Sequence, residues 1–248
     1  MKIAADLHIH STLSPCASLE MSPMAIIRRA KELSLDVIAV TDHNSVENCF
    51  TAAKIGEENG VQVLFGMEAQ TREDVHILCL FQNRHQAKSF NDCVYSLLPD
   101  VKNDPDFFGD QLVVDEQDNI IRQEEKLLLN ALNISITELL ELVQHHHGFT
   151  VPAHVETPPF GLLVNLGMVP NELENSVLEI SYATSAKQAL NIYPDLKRHP
   201  LISNSDAHFL LDIGRARTVF ETTAASLPAL IEAAKAGSYS IFYQDRHG

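Results

Sequence analysis

The amino-acid sequence predicts an α/β protein built from repeated βα units around a parallel sheet. Short β-branched or aliphatic runs alternate along the chain with segments of helix length, which is the pattern of such folds. Hydrophobic residues make up 45% of the 248 residues, so the composition is that of a globular protein and excludes a disordered, collagen-like or coiled-coil chain. We expect one domain over residues 1–248.

Seven candidate strands follow one another, and most of them precede a helix signal. They cover residues 3–9, 36–40, 61–67, 75–81, 149–153, 177–181 and 201–205. Three serines stand where helix N-caps are expected: Ser22 before Pro23, Ser45, and Ser135 with the capping-box spacing to Glu138. Gly60 predicts the end of the second helix.

The segment 99–130 departs from this alternation. It is rich in charged residues, and only residues 111–114 and 119–121 have an extended character. We expect an inserted excursion, such as a hairpin over one face of the domain. Connections of this length are often functional lids.

The charge balance bears on the partners of the protein. The chain has 18 basic and 33 acidic residues, a net charge of −15 that repels polyphosphates, so we expect no general nucleic-acid binding. No apolar run approaches the roughly 18 to 20 residues of a membrane-spanning helix, and we expect no membrane association. The first residues lack the apolar stretch of a signal peptide, and four cysteines stand singly, so we expect a cytoplasmic protein.

Two histidines close the first predicted strand, in Asp6-Leu-His-Ile-His10. The period of two in a strand sends His8 and His10 to one face, while Leu7 and Ile9 face the other way. Two neighbouring imidazoles can bind one metal ion, although such a motif is also compatible with an ordinary polar strand end.

Polar side chains mark the ends of further predicted strands. They are His43, Glu68, His154, Asp206 and His208, with His76 at the start of the fourth strand. One such residue alone has little meaning, but in a closed βα barrel the strand ends converge on one mouth, where active sites lie. Six imidazoles and two carboxylates there require metal ions. This mixture of nitrogen and oxygen ligands suits zinc, manganese or iron, and Glu68 could bridge two ions.

With these motifs the sequence resembles the polymerase and histidinol phosphatase (PHP) family of metal-dependent phosphoesterases. The matching segments are residues 6–11, 41–44, 66–68, 76, 153–154 and 205–208, in the order of the family. The resemblance implies a distorted (β/α)7 TIM-like barrel as the single domain, with two or three divalent ions at the C-terminal strand ends.

The resemblance also implies how the ligands divide among the ions. One ion would be held by His8, His10, Glu68 and Asp206, a second by Glu68, His76 and His154, and a third by His43 and His208.

One position departs from the family pattern. The family usually offers an Asp or His to the third ion after the first motif, whereas this chain has Cys16 there. A thiolate is a competent ligand for zinc or ferrous iron, and a small buried cysteine is an equally good interpretation.

Two other features are weaker candidates. His145, His146 and His147 resemble a metal-binding tract, but they end a predicted helix, where such side chains face the carbonyl groups. Arg215 and Arg217 follow the last ligands, and Arg215 is the better candidate for binding a substrate phosphate through its forked guanidinium.

The resulting prediction is a metal-dependent phosphoesterase that hydrolyses a small phosphomonoester or a nucleotide phosphate. Bound ions would activate water and bind the phosphoryl oxygens, with Glu68, Asp206 and His208 as the catalytic residues. The expected partner is a small phosphorylated substrate.

Two alternatives remain open. An amidohydrolase also begins with His-x-His on a barrel strand, but its binuclear form commonly bridges the ions with a lysine, and no candidate strand ends in lysine. The second is a metal-binding regulatory module without catalysis.

Overall fold

A computed structural model describes residues 1–244 of the protein. Eleven strands are present in this part of the chain. They are β1 (Lys2–Ile9), β2 (Val37–Val40), β3 (Gln62–Gln70), β4 (His76–Phe81), β5 (Leu112–Val114), β6 (Ile120–Gln123), β7 (Phe149–Pro152), β8 (Leu178–Ile180), β9 (Leu201–Ser203), β10 (Ala216–Glu221) and β11 (Tyr239–Tyr243).

Eight α-helices connect these strands. They are α1 (Pro23–Glu32), α2 (Glu47–Asn59), α3 (Arg84–Leu97), α4 (Pro105–Phe108), α5 (Ile136–His145), α6 (Leu162–Leu166), α7 (Ala186–Ile192) and α8 (Leu227–Lys235). Ser22 caps α1 and Ser135 forms the predicted capping box of α5. The prediction for α2 is wrong at its start, because Val46 occupies the cap and its side chain offers no acceptor. Among these helices none is long and apolar enough to cross a membrane.

Seven strands form one curled sheet in the order β11-β10-β1-β2-β3-β4-β7. Strands β1, β2 and β3 are parallel, whereas β4 is antiparallel to both of its neighbours. The prediction of a parallel sheet therefore holds for β1, β2 and β3 and is wrong for β4. Gln70 and His76 are joined by a connection far shorter than the dozen or more residues that a parallel crossover requires.

The parallel pair β8-β9 lies between β7 and β1 and closes the barrel. The amide of Val155, just after β7, donates to the carbonyl of Glu179 on β8, and Ala207, just after β9, bridges to Ile9 of β1. The result is a distorted α/β barrel, which confirms the predicted fold class.

The core has an inner and an outer layer. The inner cluster contains alternate strand residues such as Ile3, Ala5 and Leu7, together with one face of α8. The outer cluster contains the buried faces of α1, α2, α3 and α5 and the strand residues that they cover. Each fully buried aliphatic side chain of this kind contributes about 1.5 to 3 kcal/mol.

The predicted excursion contains α4 and the antiparallel hairpin β5-β6. The side chain of Asn48 on α2 joins the hairpin to the barrel, since it donates to the carbonyl of Leu112 and accepts from the amide of Val114. The chain then returns past the barrel mouth, where the side-chain Nδ2 of Asn44 donates to the carbonyls of Leu128 and Asn130.

Candidate metal centre

The structure brings eight of the predicted site residues together at the barrel mouth. Seven of them lie at or just after the C-terminal ends of strands β1, β2, β3, β7 and β9, and His76 is the first residue of β4. Because β4 runs opposite to its neighbours, its first residue lies at the edge where their last residues lie. The residues are His8, His10, His43, Glu68, His76, His154, Asp206 and His208.

An irregularity in β1 aims both histidines of the first motif at this site. The pairing of β1 with β2 shifts between Asp6 and Ile9. Leu7 consequently packs in the inner cluster and Ile9 in the outer one, so the prediction that these two share a face is wrong. His8 and His10 nevertheless converge, with 3.2 Å between their Nε2 atoms.

Glu68 is the centre of the cluster and is almost fully buried. Five imidazole nitrogens lie within hydrogen-bonding or ion-pairing distance of its carboxylate: those of His76 at 2.9 Å, His43 at 3.1 Å, His154 at 3.2 Å, His8 at 3.3 Å and His10 at 3.5 Å. Burial alone raises the pKa of this carboxyl, but the surrounding imidazoles hold the pKa well below its usual range.

Asp206 provides a second carboxylate. Its Oδ1 lies 3.3 Å from Nε2 of His10 and 3.5 Å from Nε2 of His8. Burial raises the pKa of the Asp206 carboxyl, and the two imidazoles more than offset this effect and hold the pKa far below its ordinary value. Its backbone has a φ of +48°, a left-handed conformation that non-glycine residues seldom adopt.

The donor atoms fall into three overlapping groups in the described part of the chain. They are His8 with His10 and Glu68, His43 with Glu68 and His76, and His10 with His43 and His208, each within 4.8 Å. The groups differ from the division implied by the resemblance, because His43 takes part in two of them and His154 in none.

Three of the imidazoles are oriented through Nδ1 by groups that the sequence interpretation missed. Nδ1 of His8 donates to Glu179 at 3.0 Å, and Nδ1 of His208 to the carbonyl of Asp206 at 3.1 Å. Nδ1 of His10 lies 3.0 Å from Oγ of Ser14. The available signal for Glu179 was a carboxylate inside an otherwise apolar strand.

The contacts of Ser14 decide the tautomer of His10. With Asp42 ionised, the single hydroxyl proton of Ser14 goes to Asp42 at 2.7 Å, so His10 must donate through Nδ1. Burial, reinforced by His208, lowers the pKa of His10 to about 4, so its Nε2 carries a lone pair. That lone pair faces the carboxylates of Glu68 and Asp206, an arrangement that a cation between them stabilises. The donor set therefore fits divalent metal ions.

A cavity of about 460 Å³ opens above the cluster. One wall is apolar and aromatic, with Leu129, Pro158, Phe160 and Tyr182, and the Phe160 ring stacks on His76 at 4.2 Å. None of the described residues that line this cavity is lysine or arginine. A phosphate in the cavity would therefore need metal ions to balance its charge.

The remaining candidates lie apart from the three groups. Cys16 lines the cavity, but its thiol belongs to none of the groups found among residues 1–244. His145, His146 and His147 lie at the end of α5 and do not line the cavity. Arg215 lies beside the mouth and contacts the backbone of Asp206.

The fold and this centre define a class of barrel-shaped, metal-dependent hydrolases. The sequence matches the PHP domain family over residues 6–159 and the PHP-associated family over residues 193–239. The chain belongs to the PHP domain family, as the motifs predicted.

Three matches illustrate the relationship. An uncharacterized protein of Methanocaldococcus jannaschii is 34% identical over 96 residues, which is 35% of this chain and 55% of that protein. The endonuclease Q structure from Pyrococcus furiosus, described as a lesion-specific endonuclease, has a TM-score of 0.74 at 21% identity, over 97% of this chain and 58% of that one. Endonuclease Q in complex with a 27-mer duplex substrate has a TM-score of 0.72 at 20% identity, and the match covers 95% of this chain and 57% of that one. The chain thus spans little more than half the length of these proteins.

The comparison with endonuclease Q corrects the prediction about partners. A small phosphorylated substrate and the absence of nucleic-acid binding were expected from the charge of −15. Yet the fold is shared almost completely with an endonuclease that was crystallised on duplex DNA carrying an abasic lesion at its active site. Net charge describes the field of the whole surface and does not report on a recessed site whose ligands could be neutralised by metal ions.

Proposed function

We propose that this protein is a metal-dependent phosphodiesterase that cleaves nucleic-acid strands. The single observation that carries the proposal is the buried Glu68 carboxylate, which lies among five imidazoles at the base of the cavity. The barrel that contains this cavity has the fold of an endonuclease. Divalent ions held there would supply Lewis acidity and lower the pKa of a bound water.

The proposed ligands are those at the barrel mouth, and they suit two or three ions of zinc, manganese or iron. They are His8, His10, His43, Glu68, His76, His154, Asp206 and His208, with Cys16 as a further candidate. In this proposal Glu68, which belongs to two of the donor groups, would help to hold more than one ion, and Asp206 and His208 would bind and orient the reacting groups. The absence of lysine from the described lining is evidence against the lysine-bridged centre of amidohydrolases.

The cavity indicates how a nucleic acid would be presented. Its volume of about 460 Å³ is that of a small-molecule site and is too small for a base-paired duplex. The strand must therefore offer a single nucleotide, from an unpaired region or by rotation out of the helix. The aromatic wall with Phe160 and Tyr182 provides faces on which a base or sugar can pack.

End-labelled oligonucleotides provide the test of this function. The purified chain with Mn²⁺, Zn²⁺ or Fe²⁺ is incubated with single strands, intact duplexes and duplexes that carry an abasic site or a mismatch. We expect metal-dependent cleavage of the single strands or of the disrupted duplexes, and resistance of the intact duplex. The variants His10→Ala and Asp206→Asn should reduce cleavage by at least 100-fold.

His145→Ala is the matched control, since this histidine lies outside the cavity and should leave cleavage unchanged. A wild-type chain that binds the metal ions and cleaves none of these oligonucleotides would contradict the proposal.

A further inference from the structure

The guanidinium of Arg215 contacts oxygen atoms of the protein through each of its three nitrogens. Its Nε donates to the carbonyl of Ser205 at 2.8 Å and its Nη2 to the carbonyl of Asp206 at 3.0 Å. Its Nη1 lies 3.1 Å from Oδ1 of Asp212. Each of the three nitrogens therefore has an oxygen partner within the protein.

An aromatic ring fixes the plane of this guanidinium. The Cζ atom of Arg215 lies 3.3 Å from the centroid of the Tyr182 ring, which also lines the cavity. Stacking of this kind holds the forked donors in one orientation.

The carbonyls that Arg215 binds belong to a loop in an unfavourable conformation. Asp206 has a φ of +48°, a left-handed conformation that is unfavourable for an L-residue. The same Asp206 carbonyl accepts a hydrogen bond from Nδ1 of His208. Nε2 of His208 is then available as a ligand atom in the group that also contains His10 and His43. One backbone oxygen thus links Arg215 to two of the proposed ligands.

We propose that Arg215 is a positioning residue of the metal centre and not a phosphate contact. It holds Asp206 in its left-handed conformation, so that the Asp206 carboxylate and His208 Nε2 are directed at the ions. This inference rests on the metal centre of the proposed function, but it does not depend on which substrate is cleaved.

Metal titration of the full chain tests the role of Arg215. Binding of Mn²⁺ is measured by isothermal titration calorimetry and by the EPR signal of free Mn²⁺, for wild type, Arg215→Lys and Arg215→Gln. We expect both variants to bind at least one ion 10- to 100-fold more weakly, the usual effect of losing a group that orients a ligand. Lysine should not restore binding, because a single ammonium cannot donate to two carbonyls and stack on Tyr182.

Arg217 provides a matched control two residues further along the chain. Its guanidinium also stacks on an aromatic ring, that of Phe242 at 4.0 Å, and its Nη1 donates weakly to the carbonyl of Gly214. Arg217→Gln also removes a guanidinium, but one whose hydrogen bond goes to Gly214 and not to residues 204–208. The Mn²⁺ affinity of this variant should therefore equal that of the wild type.

The variant Tyr182→Leu tests the inference without altering Arg215, should either Arg215 variant fail to fold. Loss of the ring should free the guanidinium and again weaken Mn²⁺ binding, by a smaller factor.

Wild-type Mn²⁺ affinity in folded Arg215→Gln or in Tyr182→Leu would overturn the positioning role, and so would a loss confined to binding of inorganic phosphate. A wild-type chain that binds no Mn²⁺ would overturn this inference and the metal centre together, whereas tight Mn²⁺ binding without cleavage of oligonucleotides would contradict the proposed function alone.

Discussion

Glu179 is a buried carboxylate whose ion-pair partner in the described part of the chain is an imidazole and not a cation. Both of its oxygens lie close to Nδ1 of His8, at 3.0 and 3.2 Å. A carboxylate behind a metal-binding imidazole fixes the ring orientation and makes Nε2 more basic. We therefore expect Glu179 to affect metal affinity through His8, without contacting an ion itself.

Substitution of Glu179 by Gln should reveal this influence. We expect the affinity of the folded chain for Mn²⁺ or Zn²⁺ to fall about 10- to 100-fold, because the amide holds the imidazole less firmly and donates no charge. Competition with a chelating dye measures the affinity. Glu174→Gln, at an exposed position shortly before β8, is the control and should bind metal normally. Equal affinities in the two variants would contradict the role of Glu179.

Among single residues, the sequence indicated the candidate metal ligands and missed the residues that orient those ligands, such as Glu179. His8, His10 and Glu68 stand in recognisable spacings at strand ends, and their chemistry can be recognised one residue at a time. Glu179, on a strand far along the chain, contacts His8 only because β8 lies between β7 and β1. Such a contact depends on the closure of the barrel, which no local pattern reports.

At the scale of elements, local signals were reliable and long-range pairing was not. The capping box of Ser135 and the left-handed Gly60 depend on neighbouring residues, and both predictions hold. The direction of β4 and the strands β10 and β11 depend on pairing across the sheet. The predicted strands omitted β10 and β11, although β10 pairs directly with β1.

The hairpin segment is attached to the helical layer by a second buried carboxylate. Glu124 accepts from the hydroxyl of Tyr95 on α3, from Nη1 of Arg122 and from the amide of Lys126, at 2.9, 2.7 and 3.0 Å. Burial raises the pKa of Glu124, and these hydrogen bonds more than compensate, so its pKa is lowered from the ordinary 4.5. The charged form is thus the one that stabilises the fold.

Glu124→Gln should destabilise the protein in a pH-dependent way. The contribution of a carboxyl with a lowered folded-state pKa is fully present above the unfolded value of 4.5 and disappears as the pH falls through the folded value. We expect a loss of about 1 to 2 kcal/mol at pH 7, which shrinks towards pH 4 as the wild type protonates. Urea unfolding at both pH values measures the free energies.

The neighbouring Glu125 is exposed, so Glu125→Gln should change the unfolding free energy by less than about 0.5 kcal/mol at either pH. A loss for Glu124→Gln that grows between pH 7 and pH 4 would contradict the assignment.

At the scale of the whole molecule, the metal centre joins segments that are distant in the chain. Its residues come from positions 8 to 208 and close the barrel around one buried acidic group, Glu68. Ions bound there would contact the folded state and not the unfolded one, so they must stabilise the fold as a whole. The net charge of −15 adds to this effect, because each divalent ion offsets part of the repulsion among acidic groups.

Removal of the metal should therefore lower the thermal stability of the chain. A free ion at 100 times its dissociation constant adds about 2.7 kcal/mol per site, which corresponds to roughly 5 to 10 °C in Tm for a chain of this size. Differential scanning calorimetry with EDTA and then with excess Mn²⁺ or Zn²⁺ measures this shift. Because His10 presents its lone pair to both carboxylates, His10→Ala should lose most of the shift, while His145→Ala should keep it. If the metal raised the Tm of His10→Ala as much as that of the wild type, the stabilising ions would bind elsewhere. That result would contradict the proposed metal centre at the barrel mouth.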